Sequence, residues 1–266
     1  MVLKKKNSKI KIQDFGLVTG AAGLLGEIHC ESILDNYKGL IAIDINKKKL
    51  DKLCINLKKK YTSKIIEKYN IDITNEKKIK NLEKILNKKN IFVRVLINNA
   101  CIDAKPTKKD KTSKFNWYNE FNVGLKGAQI LIEYFSKNMK DKKDGCIINI
   151  ASDLSVIAPN QSIYKKIYKN YIKPLSYSVI KHGLIGLTKY YAALYGKFNI
   201  TCNAISPAGV YNNQDKKFVK NLAKLIPMNR MADKKDIKNV INFFISKKQK
   251  FITGQNILVD GGRTII

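Results

Sequence analysis

The stretch Thr19-Gly20-Ala21-Ala22-Gly23-Leu24-Leu25-Gly26 decides the fold, since it joins a short apolar run to an amphipathic one. Glycines at a strand-to-helix turn let the backbone turn tightly and approach a pyrophosphate, whose charge is stabilised at the N-terminus of the helix. Four residues of the stretch are therefore expected to bind a dinucleotide: Gly20, Gly23, Leu25 and Gly26. The alternative is a glycine-rich turn that serves packing alone.

A second apolar run ends at Asp44, 24 positions after Gly20. An acidic side chain there accepts hydrogen bonds from the adenosine ribose hydroxyls and disfavours the 2′-phosphate of NADP. We therefore expect NAD, with NADP less favoured because of Asp44, although three lysines (Lys47, Lys48 and Lys49) follow closely. The alternative for Asp44 is an N-cap of the helix that begins near Lys47.

Short apolar runs alternate with longer amphipathic stretches along the chain, which is the pattern of a parallel sheet with crossover helices. The predicted strands are Gly16–Thr19, Leu40–Asp44, Ile65–Ile71, Arg94–Ile97, Cys146–Ile150, Thr201–Ile205 and Ile257–Val259. The predicted helices are Leu24–Asn36, Lys47–Lys60, Glu76–Asn87, Trp117–Asn138, Ser178–Lys197 and Lys216–Leu225. No linker or repeat divides the sequence, so residues 1–266 are predicted to form a single α/β domain, a Rossmann-type doubly wound parallel sheet with helices on both faces.

Composition excludes several classes of protein. The chain has 266 residues, 44% of them hydrophobic, but it has no uninterrupted apolar run long enough for a membrane-spanning helix and no secretory signal. Its five cysteines are scattered, which argues against a zinc site or a disulfide framework. We therefore expect a cytoplasmic protein with no bound metal and no membrane partner.

The formal net charge of +30 permits two interpretations. A basic surface can attract nucleic acid or an anionic substrate. However, the lysines are spread along the chain, and its only arginines are Arg94, Arg230 and Arg263. Because phosphate and base recognition favours the planar fork of arginine, compositional drift toward lysine is the favoured interpretation, and no specific nucleic-acid partner is expected.

The pair Tyr177 and Lys181 indicates acid–base chemistry. Residues four apart on a helix share a face, so the Lys181 ammonium can lie beside the Tyr177 phenol. A free tyrosine has a pKa of about 10 and is a poor base at neutral pH. A neighbouring cation favours the phenolate and lowers that pKa, as a general base requires.

Four motifs in order resemble the short-chain dehydrogenase/reductase family, and the resemblance extends from Thr19 to Gly262. They are Asn98-Asn99-Ala100, Asn122 in a long helix, Asn149-Ile150-Ala151-Ser152, and Tyr177-Ser178-Val179-Ile180-Lys181. The family implies an NAD(P)-dependent oxidoreductase that interconverts a secondary alcohol and a ketone, with Asn122, Ser152, Tyr177 and Lys181 as its catalytic residues.

The resemblance also assigns separate roles to these residues. Ser152 would hydrogen-bond the substrate oxygen, Asn122 would hold a water in the proton relay, and Lys181 would also bind the nicotinamide ribose. The further cofactor-binding residues it implies are Asp72, Ile73, Asn99, Ala100, Tyr177, Pro207 and Val210. The ending from Thr253 to Gly262 is similar to the family's last strand, so a homodimer or homotetramer is expected. For the catalytic residues, the alternatives are an exposed lysine for Lys181, a turn hydroxyl for Ser152 and a helix-surface amide for Asn122.

The sequence departs from the family pattern at four positions. The middle glycine comes one residue early, at Gly23, and Cys101 replaces the glycine that normally follows Asn-Asn-Ala. Ala208 stands where a glycine is usual and Asn212 where a threonine is frequent. None of these changes removes a catalytic group, but they alter the expected contacts with the cofactor.

The segment Pro159–Leu175 makes the gap between Ser152 and Tyr177 wider than is usual in the family. We predict that it closes over the substrate, that Tyr164, Tyr168 and Tyr171 stack on a sugar ring, and that its lysines neutralise an anionic group. Those lysines are Lys165, Lys166, Lys169 and Lys173. A surface loop without a functional role is the alternative.

The stretches Ala151–Pro159, Tyr177–Thr188 and Gly209–Asn212 are similar to the bacterial flagellin modification protein A group. That resemblance implies an anionic sugar phosphate or nucleotide-activated sugar as the small-molecule substrate, in surface-glycan or flagellin-glycan biosynthesis. The alternatives are a reductase of a non-sugar carbonyl such as a 3-oxoacyl thioester, and a dinucleotide-sensing regulator. The intact set of Ser152, Tyr177 and Lys181 argues against the regulator.

Overall fold

A computed structural model of the chain describes residues 13–102, 117–165, 167–168 and 171–266, without the side chain of Lys165. Seven strands form one parallel sheet in the order β3-β2-β1-β4-β5-β6-β7. Their bounds are β1 Gln13–Thr19, β2 Gly39–Asp44, β3 Ile65–Asn70, β4 Ile91–Asn98, β5 Gly145–Ile150, β6 Ile200–Pro207 and β7 Asn256–Val259. This is the doubly wound Rossmann-type α/β sheet that the sequence predicts.

Helices connect the strands and cover both faces of the sheet. Their bounds are α1 Gly26–Asn36, α2 Lys47–Lys60, α3 Glu76–Lys88, α4 Trp117–Phe121, α5 Gly127–Lys142, α6 Ser162–Lys165, α7 Leu175–Tyr195, α8 Lys216–Ala223 and α9 Lys234–Ile245. One hydrophobic core lies under α1, α2 and α9, and a second lies under α3, α5 and α7. Strands β2, β4, β5 and β6 are buried along their whole length, which explains why they are almost entirely apolar.

The helices differ from the sequence prediction in several ways. Helices α6 and α9 were not predicted, although Asp233 and Asp236 form a capping box at the start of α9. The predicted helix Trp117–Asn138 is interrupted by a π-helical turn over Asn122–Lys126, in which the amide of Gly127 donates to the carbonyl of Asn122. Helix α7 begins at Leu175 rather than Ser178, so Tyr177 and Lys181 both lie in its first two turns.

The parallel direction of the strands brings their carboxyl ends to one edge of the sheet, where ligands bind in such folds. Thr19, Asp44, Asn98, Ile150 and Pro207 are the last residues of five of these strands. The candidate residues that follow them therefore lie along the same edge. Among the described helices, none is both long and apolar enough to span a bilayer.

Candidate active site

The glycine-rich turn between β1 and α1 is built of closely packed backbone. Gly20 has a φ of 59°, in the left-handed region, and a Cβ there would lie 2.9 Å from the Cα of Ala100. A Cβ on Gly26 would lie 2.2 Å from the carbonyl oxygen of Ala21. No other residue type fits either position without moving the backbone. The turn therefore needs glycine at both positions.

The N-terminus of α1 is open to a ligand. Leu25 occupies the N-cap position and makes no side-chain capping hydrogen bond. The amide of Gly23 donates to the carbonyl of Gly20 over 2.9 Å, which closes the turn just before the helix. This arrangement presents backbone and a helix N-terminus to an anion, and it fits the pyrophosphate of a dinucleotide.

Asp44 bonds to the glycine-rich turn and to the residue that caps α2, but it does not cap that helix itself. Its Oδ2 accepts a hydrogen bond from the amide of Ala22 over 2.9 Å, and its Oδ1 accepts one from the amide of Asn46 over 2.8 Å. The N-cap of α2 is Asn46, whose side chain accepts from the amide of Lys49. The alternative that Asp44 caps this helix is therefore wrong.

Asn99 and Ala100 lie against the same turn. Their amides donate to Thr19 Oγ1 over 3.1 and 3.2 Å. The Asn99 side-chain amide donates to the carbonyls of Thr19 and Gly20, over 3.0 Å in each case. The end of β4 is thus tied to the end of β1, and both predicted residues lie beside the turn.

Asp72 and Ile73 lie just after β3, the edge strand next to β2. Asp72 Oδ1 accepts hydrogen bonds from the amide and the hydroxyl of Thr74, over 2.9 and 2.8 Å. The side chain of Ile73 is buried, and a Cβ on Gly127 would lie 2.6 Å from its Cδ1. Ile73 therefore packs against the start of α5, while Asp72 remains partly exposed.

Ser152 lies directly after β5 at the start of a short 3-10 turn over Asp153–Ser155. Its Oγ donates a hydrogen bond to Asp153 Oδ1 over 2.8 Å. Asp153 also forms an ion pair with Arg263, and both side chains are almost fully buried. Ser152 thus has a carboxylate neighbour that the sequence interpretation did not use.

Tyr177 lies beside two lysines. Lys181 is 3% exposed, and its Nζ donates to the carbonyl of Ile150 over 2.7 Å, two residues before Ser152. The same Nζ lies 5.6 Å from the centroid of the Tyr177 ring. The Nζ of Lys173 lies 3.8 Å from that centroid, over the face of the ring. Since Lys181 is buried and bonded, the alternative of an exposed lysine is wrong.

Asn122 is the first residue of the π-helical turn and is partly buried. This turn packs closely on α7, because a Cβ on Gly124 would lie 2.4 Å from Ile180 Cγ2. Just before it, Glu120 accepts a hydrogen bond from the Ser176 hydroxyl, next to Tyr177. Asn122 therefore lies in a turn that packs on α7 near the start of that helix, where Tyr177 lies.

Pro207 and Val210 belong to a segment that links β6 to the region before α9. Val210 pairs with Ala232 in an isolated parallel bridge, and the amide of Ala232 donates to the carbonyl of Gly209 over 3.0 Å. A Cβ on Gly209 would lie 2.4 Å from Leu222 Cδ2 of α8. Pro207 is the last residue of β6 and Val210 follows that strand, and both are buried.

Buried polar side chains join the strands of this half of the sheet. Asn98 Nδ2 donates to Asn149 Oδ1 and Asn149 Nδ2 donates to Thr188 Oγ1, over 2.9 Å in each case. A second group comprises Ser155, Ser206 and Asn256, with Ser155 Oγ and Ser206 Oγ 3.1 Å apart and Ser206 Oγ donating to Asn256 Oδ1 over 2.6 Å. The first group joins β4 and β5 to α7, and the second joins the turn after β5 to β6 and β7.

The insert between Ser152 and Tyr177 packs against α8. The ring centroid of Tyr164 lies 5.4 Å from that of Tyr171 and 5.4 Å from that of Phe218. The prediction that Tyr171 stacks on a sugar is wrong, because this ring is covered by its neighbours and is 5% exposed. Lys166, Lys169 and the side chain of Lys165 lie outside the described residues. Lys173 is the insert lysine that the structure places at Tyr177.

Three contacts of the site were missed from the sequence. Asp153 follows Ser152 directly, which was a visible signal. Arg263 is one of three arginines among 51 basic residues, and this rarity was the only sign of its role. The contact between Lys173 and Tyr177 has the same spacing of four residues as the Tyr177–Lys181 pair, but it lies across a helix start, where spacing alone fixes no contact.

Comparisons with known proteins find relatives that match most of the chain. A family model described as enoyl-(acyl carrier protein) reductase matches residues 37–264. The post-translational flagellin modification protein A of Campylobacter coli is 28% identical over 253 residues, with 92% of this chain and 96% of that protein covered. The 3-oxoacyl-[acyl-carrier-protein] reductase FabG of Thermotoga maritima is 27% identical over 254 residues, with 94% and 97% covered.

A solved structure is similar over nearly the whole chain. It is a short-chain dehydrogenase from Leptospira borgpetersenii with bound NAD⁺, 30% identical, with a TM-score of 0.80 and coverage of 99% of this chain and 97% of that one. The chain belongs to the short-chain dehydrogenase/reductase family and is an NAD(P)-dependent oxidoreductase that acts on a CH–OH group.

Proposed function

We propose that the protein interconverts a secondary alcohol and a ketone on an anionic sugar derivative, with NAD as its cofactor. The substrate would be a sugar phosphate or a nucleotide-activated sugar of surface-glycan or flagellin-glycan biosynthesis. The observation that supports the anionic class is the buried ammonium of Lys173, which lies over the ring of Tyr177 in addition to Lys181. Both ammonium groups would attract a substrate that carries a negative charge.

In this proposal Tyr177 exchanges a proton with the substrate oxygen. Ser152 Oγ orients that oxygen, and the Lys181 ammonium favours the phenolate of Tyr177. Asn122 holds a water at the π-helical turn as part of the proton relay. When bound, the nicotinamide ring supplies the hydride acceptor for the alcohol or the hydride donor for the ketone.

The cofactor lies across the glycine-rich turn in this proposal. Gly20, Gly23, Leu25 and Gly26 contact the pyrophosphate, and Asp44 accepts hydrogen bonds from the adenosine ribose. The remaining contacts are assigned to Asp72, Ile73, Asn99, Ala100, Tyr177, Lys181, Pro207 and Val210. The open N-terminus of α1 and the position of Asp44 beside Ala22 support this assignment.

A substrate screen tests the proposed class. Purified protein with NAD⁺ is offered sugar phosphates, nucleotide sugars and the corresponding uncharged sugars, and the absorbance of the reduced nicotinamide is followed. Lys173→Met should raise KM about tenfold or more for the charged substrates only, because it removes the buried ammonium that would pair with the negative charge of the substrate. Lys137→Met is the matched control, since Lys137 lies 4.6 Å from the Tyr134 ring on another surface. Equal KM values for both substrate classes in the wild type would contradict an anionic substrate.

The alternative substrate is a non-sugar carbonyl such as a 3-oxoacyl thioester. The similarity to the Thermotoga maritima reductase named FabG supports it. An acetoacetyl thioester with NADH and NADPH belongs in the same screen. Turnover of the thioester but of no sugar would favour this alternative.

We also propose that residues 1–266 form one domain that assembles as a homodimer or homotetramer in the cytoplasm. A groove of about 470 Å³ between the π-helical turn and α7 supports assembly. It is lined by Phe121, Asn122, Leu125, Lys126, Gln129, Gly183, Gly186 and Leu187. A Cβ on Gly186 would meet nothing within 4 Å and this position is exposed, so the side chain of Gly186→Trp would project from the surface and block a partner. Sedimentation should show a dimer or tetramer for the wild type and a monomer for the variant.

A further inference from the structure

The carboxylate of Asp153 holds the hydroxyl of Ser152 in place. Ser152 Oγ donates to Asp153 Oδ1 over 2.8 Å. The amide of Leu154 donates to the same carboxylate oxygen over 2.8 Å and to Ser152 Oγ over 3.2 Å. The serine oxygen is thus held both through its proton and through a lone pair. Its side-chain orientation is set by the residues that follow it.

Arg263 neutralises this carboxylate. Its Nη1 donates to Asp153 Oδ2, and the two side chains are 7% and 3% exposed. A carboxylate buried so deeply is strongly destabilised unless it is paired, and removing one partner of such a pair leaves an uncompensated charge. The charge on Asp153 is therefore balanced by a residue 110 positions away in the chain.

A tight turn after β7 carries Arg263 to this position. Asp260 accepts hydrogen bonds from the amides of Gly262 and Thr264, over 3.0 and 2.9 Å. Gly261 and Gly262 have φ values of 63° and 88°, which residues with a side chain rarely adopt. These contacts fix the backbone on both sides of Arg263.

The identity of residue 263 is unusual in this chain. Only three of its 51 basic residues are arginines, and each of the three pairs with a carboxylate. Arg94 and Arg230 each bind both oxygens of one aspartate. Arg263 instead contacts Asp153 through Nη1, and both side chains are buried. Arginine keeps its charge when it is buried, whereas a buried lysine is easily neutralised, so an arginine at 263 suits a permanent counter-charge to Asp153.

We propose that Arg263 and Asp153 form a positioning pair for the reacting residues. Asp153 orients the Ser152 hydroxyl, and Arg263 cancels a negative charge that would otherwise act on Tyr177. Helix α7, which carries Tyr177, packs directly against the turn that contains Asp153. A negative charge there disfavours the phenolate form of Tyr177, and a positive charge favours it. This inference rests on the proposed roles of Ser152 and Tyr177.

An ultraviolet difference titration tests the inference without a substrate. The absorbance of each variant is compared with that of the same variant carrying Tyr177→Phe, which isolates the ionisation of one phenol among 13 tyrosines. Arg263→Met should raise the midpoint of that ionisation by about half a pH unit or more, because Asp153 loses its counter-charge. Asp153→Asn should lower it, because Arg263 is then uncompensated. The double variant should return to within about 0.3 pH unit of the wild type.

A residue that only stabilises the fold would give a different pattern. It would shift the midpoint in neither single variant, or in the same direction in both, and either result overturns the positioning pair. Arg263→Lys keeps the charge and should lie between the wild type and Arg263→Met. Arg230→Met is the matched control, because it breaks an exposed pair with Asp236 and should leave the midpoint unchanged.

Turnover gives a second readout. With a secondary alcohol that the protein oxidises, Arg263→Met should lower kcat about tenfold or more with little change in the KM for NAD⁺, and adding Asp153→Asn should restore part of it. Should Arg263→Met not fold, Asp153→Asn and the double variant still give the predicted shift and its return. Failure of the proposed function would be seen in a different variant: Tyr177→Phe would then retain its turnover, whatever the Arg263 and Asp153 variants show.

Discussion

The glycine-rich turn of residues 20–26, called here the nucleotide end, and the candidate catalytic residues around Ser152 and Tyr177, called here the reacting end, lie along the same edge of one sheet. Different parts of the chain hold them in place. At the nucleotide end the contacts are made by backbone. Gly20 and Gly26 leave no room for a Cβ, and even Asp44 bonds to a main-chain amide, that of Ala22. At the reacting end buried side chains hold one another, as in the groups around Asn149 and around Ser206.

This difference indicates where substitutions in the sequence can be tolerated without loss of stability or binding. A site made of backbone depends on a few glycines and tolerates other substitutions around it, including the one-residue shift to Gly23. A site made of buried polar side chains loses free energy whenever one partner is removed, because the remaining group is left without a hydrogen bond. The following predictions test that contrast, from the largest expected effect to the smallest.

Tyr177→Phe should have the largest effect, at the reacting end. It removes the only proton-exchanging oxygen and should lower kcat about 1,000-fold, within the range usual for loss of a general acid–base group. The Kd for NAD⁺ should change little, since the ring remains. Tyr134→Phe is the control, because it removes a surface hydrogen bond to Glu76. Near wild-type turnover in Tyr177→Phe would show that the assignment is wrong.

Gly26→Ala should have the next largest effect, at the nucleotide end. Its Cβ would lie 2.2 and 2.3 Å from two carbonyl oxygens of the turn, so the backbone must move. We expect a decrease of about 3 kcal/mol in the free energy of unfolding and loss of NAD⁺ binding. In Gly196→Ala the new Cβ meets nothing within 4 Å, so stability should be unchanged or slightly raised. If both variants bind NAD⁺ equally, the backbone of the turn is not the binding surface.

His29, which lies in α1, should make the free energy of unfolding of the protein depend on pH. Burial lowers the pKa of His29 to about 3, whereas an unfolded histidine titrates at about 6.5. As the pH falls below 6.5, the unfolded chain binds a proton that the folded protein excludes, so folding loses stability. Between pH 7.5 and 5 this group should account for about 2 kcal/mol of the free energy of unfolding.

Denaturant titrations at the two pH values measure this effect. His29→Leu should lose about 2 kcal/mol less than the wild type over the same interval. The chain has one other histidine, His182, which is exposed, and His182→Leu should behave like the wild type. An unchanged pH dependence in His29→Leu would contradict the burial of a neutral ring.

Asp44→Asn should have the smallest effect. The amide can still accept a hydrogen bond from Ala22, but the charge that repels the 2′-phosphate of NADP is lost. The ratio of kcat/KM for NAD⁺ to that for NADP⁺ should fall about tenfold, which corresponds to about 1.4 kcal/mol. Equal use of both cofactors by the wild type would count against Asp44 as the ribose ligand.

Local patterns in the sequence predicted the sheet and most helices. All seven strands were predicted, and β2, β4, β5 and β6 have the largely apolar sequence of strands buried on both faces. The edge strands β3 and β7 are only partly buried. Helix α9 was missed although Ile237 and Ile241 are buried at helical spacing behind its capping box. The interruption at Asn122 could not be predicted, since the close approach of Gly124 to Ile180 is a tertiary contact.

The candidate site was predictable where it depends on motifs and not where it depends on packing. Tyr177 and Lys181 lie together because helical spacing places them so. The pairing of Arg263 with Asp153 joins residues 110 apart, and no local pattern encodes it. The burial of Tyr171 in the insert likewise depends on its neighbours in space.

The position of β1 between β2 and β4 has a consequence for how the protein folds. β1 pairs with β4, so that Leu17 lies opposite Leu96, and every strand pair in the sheet is parallel. No pair can form as a local hairpin, and the glycine-rich turn gains its contacts with Asn99 and Ala100 only after β1 and β4 have met. Such topologies fold slowly and expose apolar strands meanwhile. The mutual repulsion of chains that each carry a net charge of +30 then opposes their aggregation before the sheet closes.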